Sequence, residues 1–415
     1  MSTLIWQQPA DMPLGIATLS KLAFEGIDLA PLHSQLLDKY IFEPDNAAAL
    51  MDLSTIEQLF GNEADGIARQ SEALRCRQIY RSPCADETPG LRLLAFAAPG
   101  DVGNNTPLEF LLEGSGVALT TLYVVPGMEL PPDIPPHDVA IVAACESDAN
   151  RPVLTEIARL LSSWPTPVLN HPDRIAQLAR ERLHGLAKPV TGIAMPATVR
   201  IDRTTLSEIA AGRAALQAYL PDGAFPLIAR PLGSHAGRGL QKIDDSEALA
   251  RYLAERPERG FHISSFVDYR SPDGLYRKYR IVFIGGRPYA CHMAIADQWM
   301  IYYLNAGMAE SAAKKIEEER FMTAFDQEFA RRHRSALTGL AERVGLDYFG
   351  IDCAQTGDGK LLLFEADVAM IVHLMDSPAV FPYKVPHMRK LFADFCALLK
   401  DRAARPQAER MDSVA

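Results

Sequence analysis

Residues 350–367, Gly350-Ile-Asp352-Cys-Ala-Gln-Thr-Gly-Asp-Gly-Lys-Leu-Leu-Leu-Phe-Glu365-Ala-Asp367, read as two strands joined by a tight turn. YFGIDCA is an apolar run with one acid inside it, and KLLLFEA is a second apolar run that also carries one acid. Between them, TGDG supplies the Gly and Asp residues that reverse a chain at little steric cost. A lone carboxylate in an apolar strand is costly unless something neutralises it. With the turn midway between Asp352 and Glu365, the pattern puts the two acids close together on neighbouring strands. Close carboxylates repel, and a hard divalent cation is the natural remedy; Mg²⁺ takes oxygen ligands and completes its shell with waters and substrate phosphates. Asp367, two positions beyond Glu365, falls on the same strand face and offers a third oxygen. The competing reading is that each acid pairs with a buried Arg or sits at a strand end. It weakens when three acids share one hairpin, because each unmatched charge adds a large penalty.

The longer stretch GLDYFGIDCAQTGDGKLLLFEAD resembles the end of the ATP-grasp superfamily, in the branch of the RimK and D-alanine–D-alanine ligases. The family pattern there runs G-x-D, a turn, then E-x-N. Asp352 matches the Asp, Glu365 matches the Glu, and Asp367 stands where the family usually has Asn. The resemblance implies ATP as cosubstrate and Mg²⁺ on these three residues. Asp in place of Asn keeps an oxygen ligand and adds charge, which leaves Mn²⁺ open as an alternative.

The rest of the chain is compatible with a soluble multidomain enzyme. Its 415 residues are too many for one core. Hydrophobic residues make up 48% and charged residues 23%, the balance of an ordinary globular protein. The net charge of −10 argues against general nucleic-acid binding, which needs a basic face. No apolar run reaches the roughly 20 residues that span a bilayer, so no membrane partner is expected. The start lacks a basic region before an apolar one, so a signal peptide is not expected either. Six cysteines are scattered without metal-ligand spacing and read as reduced thiols of a cytoplasmic protein.

Taken in order, residues 1–85 form a helical N-terminal module, with amphipathic runs at Leu19 to Tyr40, Ala47 to Phe60 and Ala64 to Tyr80. The module resembles a tetratricopeptide-type helical pair, although no clear repeat is visible at that period. It reads equally as a cap on the next domain or as a surface for a protein or peptide partner. Residues 90–165 alternate strand, helix and strand, the pattern of a parallel α/β sheet, which the resemblance makes the pre-grasp domain. The Gly/Asn loop after its first strand could hold a ligand at a switch in strand order.

Residues 166–402 form the ATP-grasp domain implied by the resemblance, with lobes at about 185–265 and 266–402 and a frayed tail over 403–415. The family has a Lys in the helix after the entry strand that reaches the nucleotide phosphates; alignment puts Arg182 there. In FPLIARPLGSHAGRGL a buried strand ends in Arg230, where the family has Lys. The loop Gly233, Ser234, His235, Gly237, Gly239 then resembles the family's glycine loop, whose backbone N–H groups can close on phosphate oxygens. The resemblance makes Phe266 and Val267 the apolar hinge beside adenine and Asp268 a ribose contact, with Ser265 replacing the usual hinge Glu. Lys278 and Arg280 alternate onto one strand face, which suits an anionic intermediate. Arg280 matches the family Arg that reaches the transferred phosphate, and Asn305 a substrate or phosphate Asn.

The fold class expected is therefore α/β and α+β multidomain, an ATP-grasp fold with an α/β pre-grasp domain and an α-helical N-terminal module. The activity implied is ATP-dependent joining of a small-molecule or peptide carboxylate to an amine through an acyl-phosphate, with a homodimer compatible. The alternatives are phosphotransfer by the same fold, or a degenerate ATP-sensing scaffold that acts through its helical N-terminus.

Overall fold

The computed structural model describes residues 12–84, 86, 89–234, 237–303 and 306–404. His235, Asn305 and the tail from 405 onward lie outside them. The described residues divide into two compact units. The first takes its residues from Met1–Ala176, Leu346–Gly350 and Asp367–Ala415, the second from Gln177–Gly345 and Ile351–Ala366. Both contain helices and sheets, so the chain is a mixed α/β multidomain protein.

In the first unit, helices span Ile16–Phe24, Ala30–Phe42, Ala47–Leu59 and Glu63–Cys76. The run expected from Leu19 to Tyr40 is two helices. Gly26 takes φ 76° between them, a conformation that glycine adopts without strain, and Pro31 opens the second helix. Leu19, Leu32, Leu36, Leu53 and Ile56 form their shared core. The last helix stops at Cys76 rather than continuing to Tyr80, because the chain then forms an edge strand, β1 (Ile79–Arg81). This strand joins β2 (Leu91–Ala97), β3 (Val117–Tyr123), β4 (Val139–Val142) and β5 (Val168–Leu169) in a sheet of order β1-β3-β2-β4-β5. β2 to β5 pair in parallel, as the α/β pattern predicts, and β1 runs antiparallel to β3. The closing helix Lys384–Ala404 packs near β4. Its buried Met388, Leu391, Phe395 and Leu399 need cover, which is why it belongs to this unit although the sequence grouped it with residues 166–402.

The second unit contains two sheets. β7 (Thr198–Asp202), β8 (Leu227–Pro231), β9 (Gln241–Ile243) and β10 (Gly260–Ser265) form an antiparallel sheet of order β7-β10-β8-β9. One face buries Ile201, Leu227, Ala229, Ile243, Phe261 and Ile263 against Leu206, Leu249 and Tyr252 from two helices. Those helices, Arg203–Ala210 and Ser246–Glu255, are each started by an aspartate cap, Asp202 on the Thr205 N–H and Asp245 on the Ala248 N–H. The other sheet has the order β12-β11-β13-β14-β6, with β6 (Ile193–Ala194), β11 (Tyr276–Ile284), β12 (Arg287–Ala296), β13 (Tyr348–Gln355) and β14 (Leu361–Asp367). Gly285 and Gly286, at φ 56° and 80°, turn β11 into β12 as the sequence predicts. The TGDG stretch likewise turns β13 into β14, closed by Thr356 N–H to Lys360 O at 3.0 Å.

One residue fixes the start of β13, the strand that carries Asp352. Asn170 is fully buried with φ 58°; its side chain donates to Tyr348 O at 2.8 Å and accepts from Tyr348 N–H at 2.9 Å. Asn170→Ala leaves both backbone groups unmatched and strains a left-handed position, at a cost of about 3 kcal/mol. A thermal shift scan should show a clear fall in melting temperature, and an unchanged melting point would remove Asn170 from this role.

Candidate active site

Strand alternation puts Tyr276, Lys278 and Arg280 on one face of β11. Across the sheet Asp352 is only 2% exposed, and both of its oxygens are taken. Arg280 donates to them from Nε at 2.8 Å and from Nη2 at 3.0 Å, and Lys278 Nζ donates at 3.1 Å. Burial alone would raise the Asp352 pKa, but the charges of Arg280 and Lys278 override it and hold the carboxyl far below its ordinary value. By the same pairing, Arg280 is pushed upward in spite of its burial. Thus the acid that the sequence marks as a buried liability is neutralised by the two cations that the sequence also singles out.

Glu365, on β14 beside β13, pairs with Arg180. Desolvation opposes its ionisation, yet Arg180 lowers its pKa overall, and the nearby charge of Asp352 works against that. The segment expected as one helix from His171 onward breaks at Ala179, which takes ψ 132°, and restarts as the helix Arg180–Ala187. Arg180, at its first residue, is the cation that meets the hairpin; Arg182, two positions on, is exposed. The signal for Arg180 was present in the sequence, within a turn of the aligned position. Asp367 falls in the first unit, where its Oδ1 accepts from the Ala369 N–H at 3.0 Å. There its charge adds to burial, the larger cause, in pushing up the Cys145 thiol.

The four-stranded sheet turns a polar face away from its core. Registers pair Arg200 with His262 and His262 with Arg230, so the three lie in one row across β7, β10 and β8. Arg230 reaches the glycine loop, donating to the carbonyl of Ser234 and, at 3.2 Å, to its Oγ. Burial and then the positive charge of Arg180 depress Arg230 to about 10. The same two causes bring His262 down to about 4, so the imidazole is neutral near pH 7. In the loop, Gly233, Gly237 and Gly239 have φ near +70°. At Gly239 a side chain would also strike Pro231, whose Cδ lies 2.7 Å from the place of a Cβ.

A pocket of about 370 Å³ opens beside this face, lined by Lys242, Phe266, Asp268, Tyr276, Asp297 and Trp299 among others. Phe266 meets Trp299 edge-on at 5.7 Å between ring centroids, and Lys242 lies over Phe266 at 5.0 Å. Phe266 and Asp268 line one cavity, while Val267 is half-buried and outside its lining. Tyr276, at the pocket, and Arg280, on Asp352, are four residues apart on one strand face, roughly 13 Å along a strand. Lys242 and His262 went unnoticed in the sequence because only sheet register brings them to this face, and Tyr276 because it reaches the pocket from a strand of the other sheet.

Among the described residues no three His, Cys, Asp or Glu side chains gather in a metal-binding group. Asp352 is saturated by cations, while Glu365 is one-third exposed and has one oxygen beyond its bond to Arg180. The described donors therefore offer a divalent metal one open carboxylate oxygen, at Glu365, and the rest of its shell would have to come from phosphates and water, the usual habit of Mg²⁺.

Removing one partner of a buried ion pair strands the other charge. Arg280→Ala should cost about 3 kcal/mol of stability, with Arg280→Lys costing much less. The double variant Arg280→Ala/Asp352→Ala should recover part of the loss. Additive losses in the two single variants and the double would contradict the pairing.

Several solved structures are similar to the chain. A RimK domain ATP-grasp protein from Sphaerobacter thermophilus matches at 16% identity and TM-score 0.40, over 74% of this chain and 99% of that one. The VanG D-Ala:D-Ser ligase of Enterococcus faecalis matches at 12% identity and TM-score 0.46, over 74% and 98%. A D-alanine–D-alanine ligase from Bacillus anthracis, complexed with ATP, matches at 10% identity and TM-score 0.43, over 78% and 99%. No protein-family model matches the chain, and no curated protein matches it.

Proposed function

We propose that the chain is an ATP-grasp ligase that uses ATP to join a carboxylate to an amine through an acyl-phosphate. The observation that carries this reading is the charge balance of the second unit: Arg180, Arg230, Lys278 and Arg280 stand around two carboxylates, Asp352 and Glu365. An excess of cations lining a partly desolvated site favours a polyanion. The aromatic pocket lies at one end of that strip, and its size and rings suit a nucleoside. A nucleoside triphosphate laid from Tyr276 towards Arg280 would put its base in the pocket and its phosphates among the cations. The sequence motif supports adenine as the base.

In this reading the glycine loop and Arg230 hold the phosphates, and Phe266 with Trp299 holds the base. Glu365 would hold Mg²⁺, which shields phosphate charge when bound. Lys278 and Arg280, oriented by Asp352, face the charge that develops as the substrate carboxylate attacks the γ-phosphorus and displaces ADP. They then face the oxyanion formed when the amine attacks the acyl carbon and inorganic phosphate leaves. Asn305, outside the described residues, would contact the substrate or phosphate. The substrates are small-molecule or peptide acids and amines.

Hydroxylamine can stand in for the amine. With ATP and Mg²⁺, a panel of carboxylic acids should yield a hydroxamate and ADP in equal amounts for the accepted acid. ADP release with no hydroxamate for any acid would favour phosphotransfer or an idle ATP site. Arg280→Lys, which keeps the charge but loses the planar fork, should lower kcat about a hundredfold while changing nucleotide affinity little. Equal losses in both would make Arg280 a ground-state binder.

Nucleotide binding itself is open to a direct check. Trp299 lines the pocket, so ADP should change tryptophan emission, and Trp299→Phe should remove most of that change. Phe266→Ala should weaken ADP by about tenfold, as loss of one stacking ring does. Unaltered affinity in Phe266→Ala would move the nucleoside elsewhere.

A further inference from the structure

Arg180 occupies a position that its own helix does not favour. It is the first residue of Arg180–Ala187, where the positive end of the helix dipole repels a cation. It also faces like charge, since it helps to depress both Arg230 and His262. What offsets these two repulsions is the pair with Glu365, both side chains being about 30% exposed and open to exchange. Glu365 makes no other hydrogen bond among the described residues, so Arg180 is its chief counter-charge.

We propose that Arg180 is an exchangeable counter-cation that competes with a divalent metal for Glu365 and gives way when phosphates arrive. The inference rests on the ligase reading and deepens it. Without nucleotide, Glu365 is held by Arg180 and binds a metal poorly. A polyphosphate placed beside Arg230 gives Arg180 a second anion to pair with, relieves its repulsion from Arg230 and frees both Glu365 oxygens. Metal and nucleotide then bind with positive coupling that passes through one side chain. Because coupling is reciprocal, the metal strengthens nucleotide binding by the same factor.

The test follows Mn²⁺ by its electron paramagnetic resonance signal in the full chain, with and without a non-hydrolysable ATP analogue, so that turnover plays no part. Wild type should bind Mn²⁺ weakly alone and far more tightly with the analogue. Arg180→Gln should bind Mn²⁺ alone about tenfold more tightly than wild type, with the analogue adding correspondingly less, a change within the usual range of coupling between sites. Arg180→Lys, which retains the charge, should stay near wild type, and Glu365→Gln should lose Mn²⁺ in every condition. Equal Mn²⁺ affinity in wild type and Arg180→Gln, with analogue binding intact, would overturn the exchange alone. Should wild type fail to bind the analogue at all, the ligase reading would fall, and this inference with it.

Discussion

The carboxylate of Asp352, closed to water and held by Lys278 and Arg280, is the constraint on which the second unit depends. A buried acid without those partners would carry a penalty larger than most single contacts can offset. Its presence therefore dictates that β11 pair next to β13 and that the β11 residues facing it be cationic at alternate positions. The cations are fixed in turn, because each is bound to a carboxylate that cannot move without breaking the sheet. Such preorganisation is what makes a charged group effective at a reaction centre, since nothing has to be reoriented when charge develops.

The same logic extends to the four-stranded sheet. Its apolar face is covered by two helices, which leaves Arg200, His262 and Arg230 on the other face with only polar uses. Keeping His262 neutral limits the repulsion that a third cation in that row would add. The result is a surface with positive charge in excess at one end and an aromatic pocket at the other.

Much of this was legible in the sequence, for identifiable reasons. The hairpin from Gly350 to Asp367, the glycine turns and the alternation of Lys278 with Arg280 are local patterns with a period or a turn chemistry behind them. What stayed hidden depends on packing at long range. β1 looked like the end of a helix, since three residues joining a distant sheet leave no periodic trace. The break at Ala179, which brings Arg180 rather than Arg182 to Glu365, lies inside a run whose composition is helical throughout. The sequence also weighed paired cations against a metal as the remedy for the hairpin acids; Asp352 is held by cations, and Glu365 keeps one oxygen open.

In the proposed reaction a substrate carboxylate is activated by taking the γ-phosphoryl group of ATP. An accepted acid labelled with ¹⁸O in its carboxyl group tests this directly, because the oxygen that attacks phosphorus leaves with the phosphate when the amine displaces it. Each inorganic phosphate released should carry one oxygen from the acid, in step with amide formed, when the product is read by mass spectrometry. Unlabelled phosphate accompanying amide formation, or ATP consumed with every label retained in the acid, would contradict it.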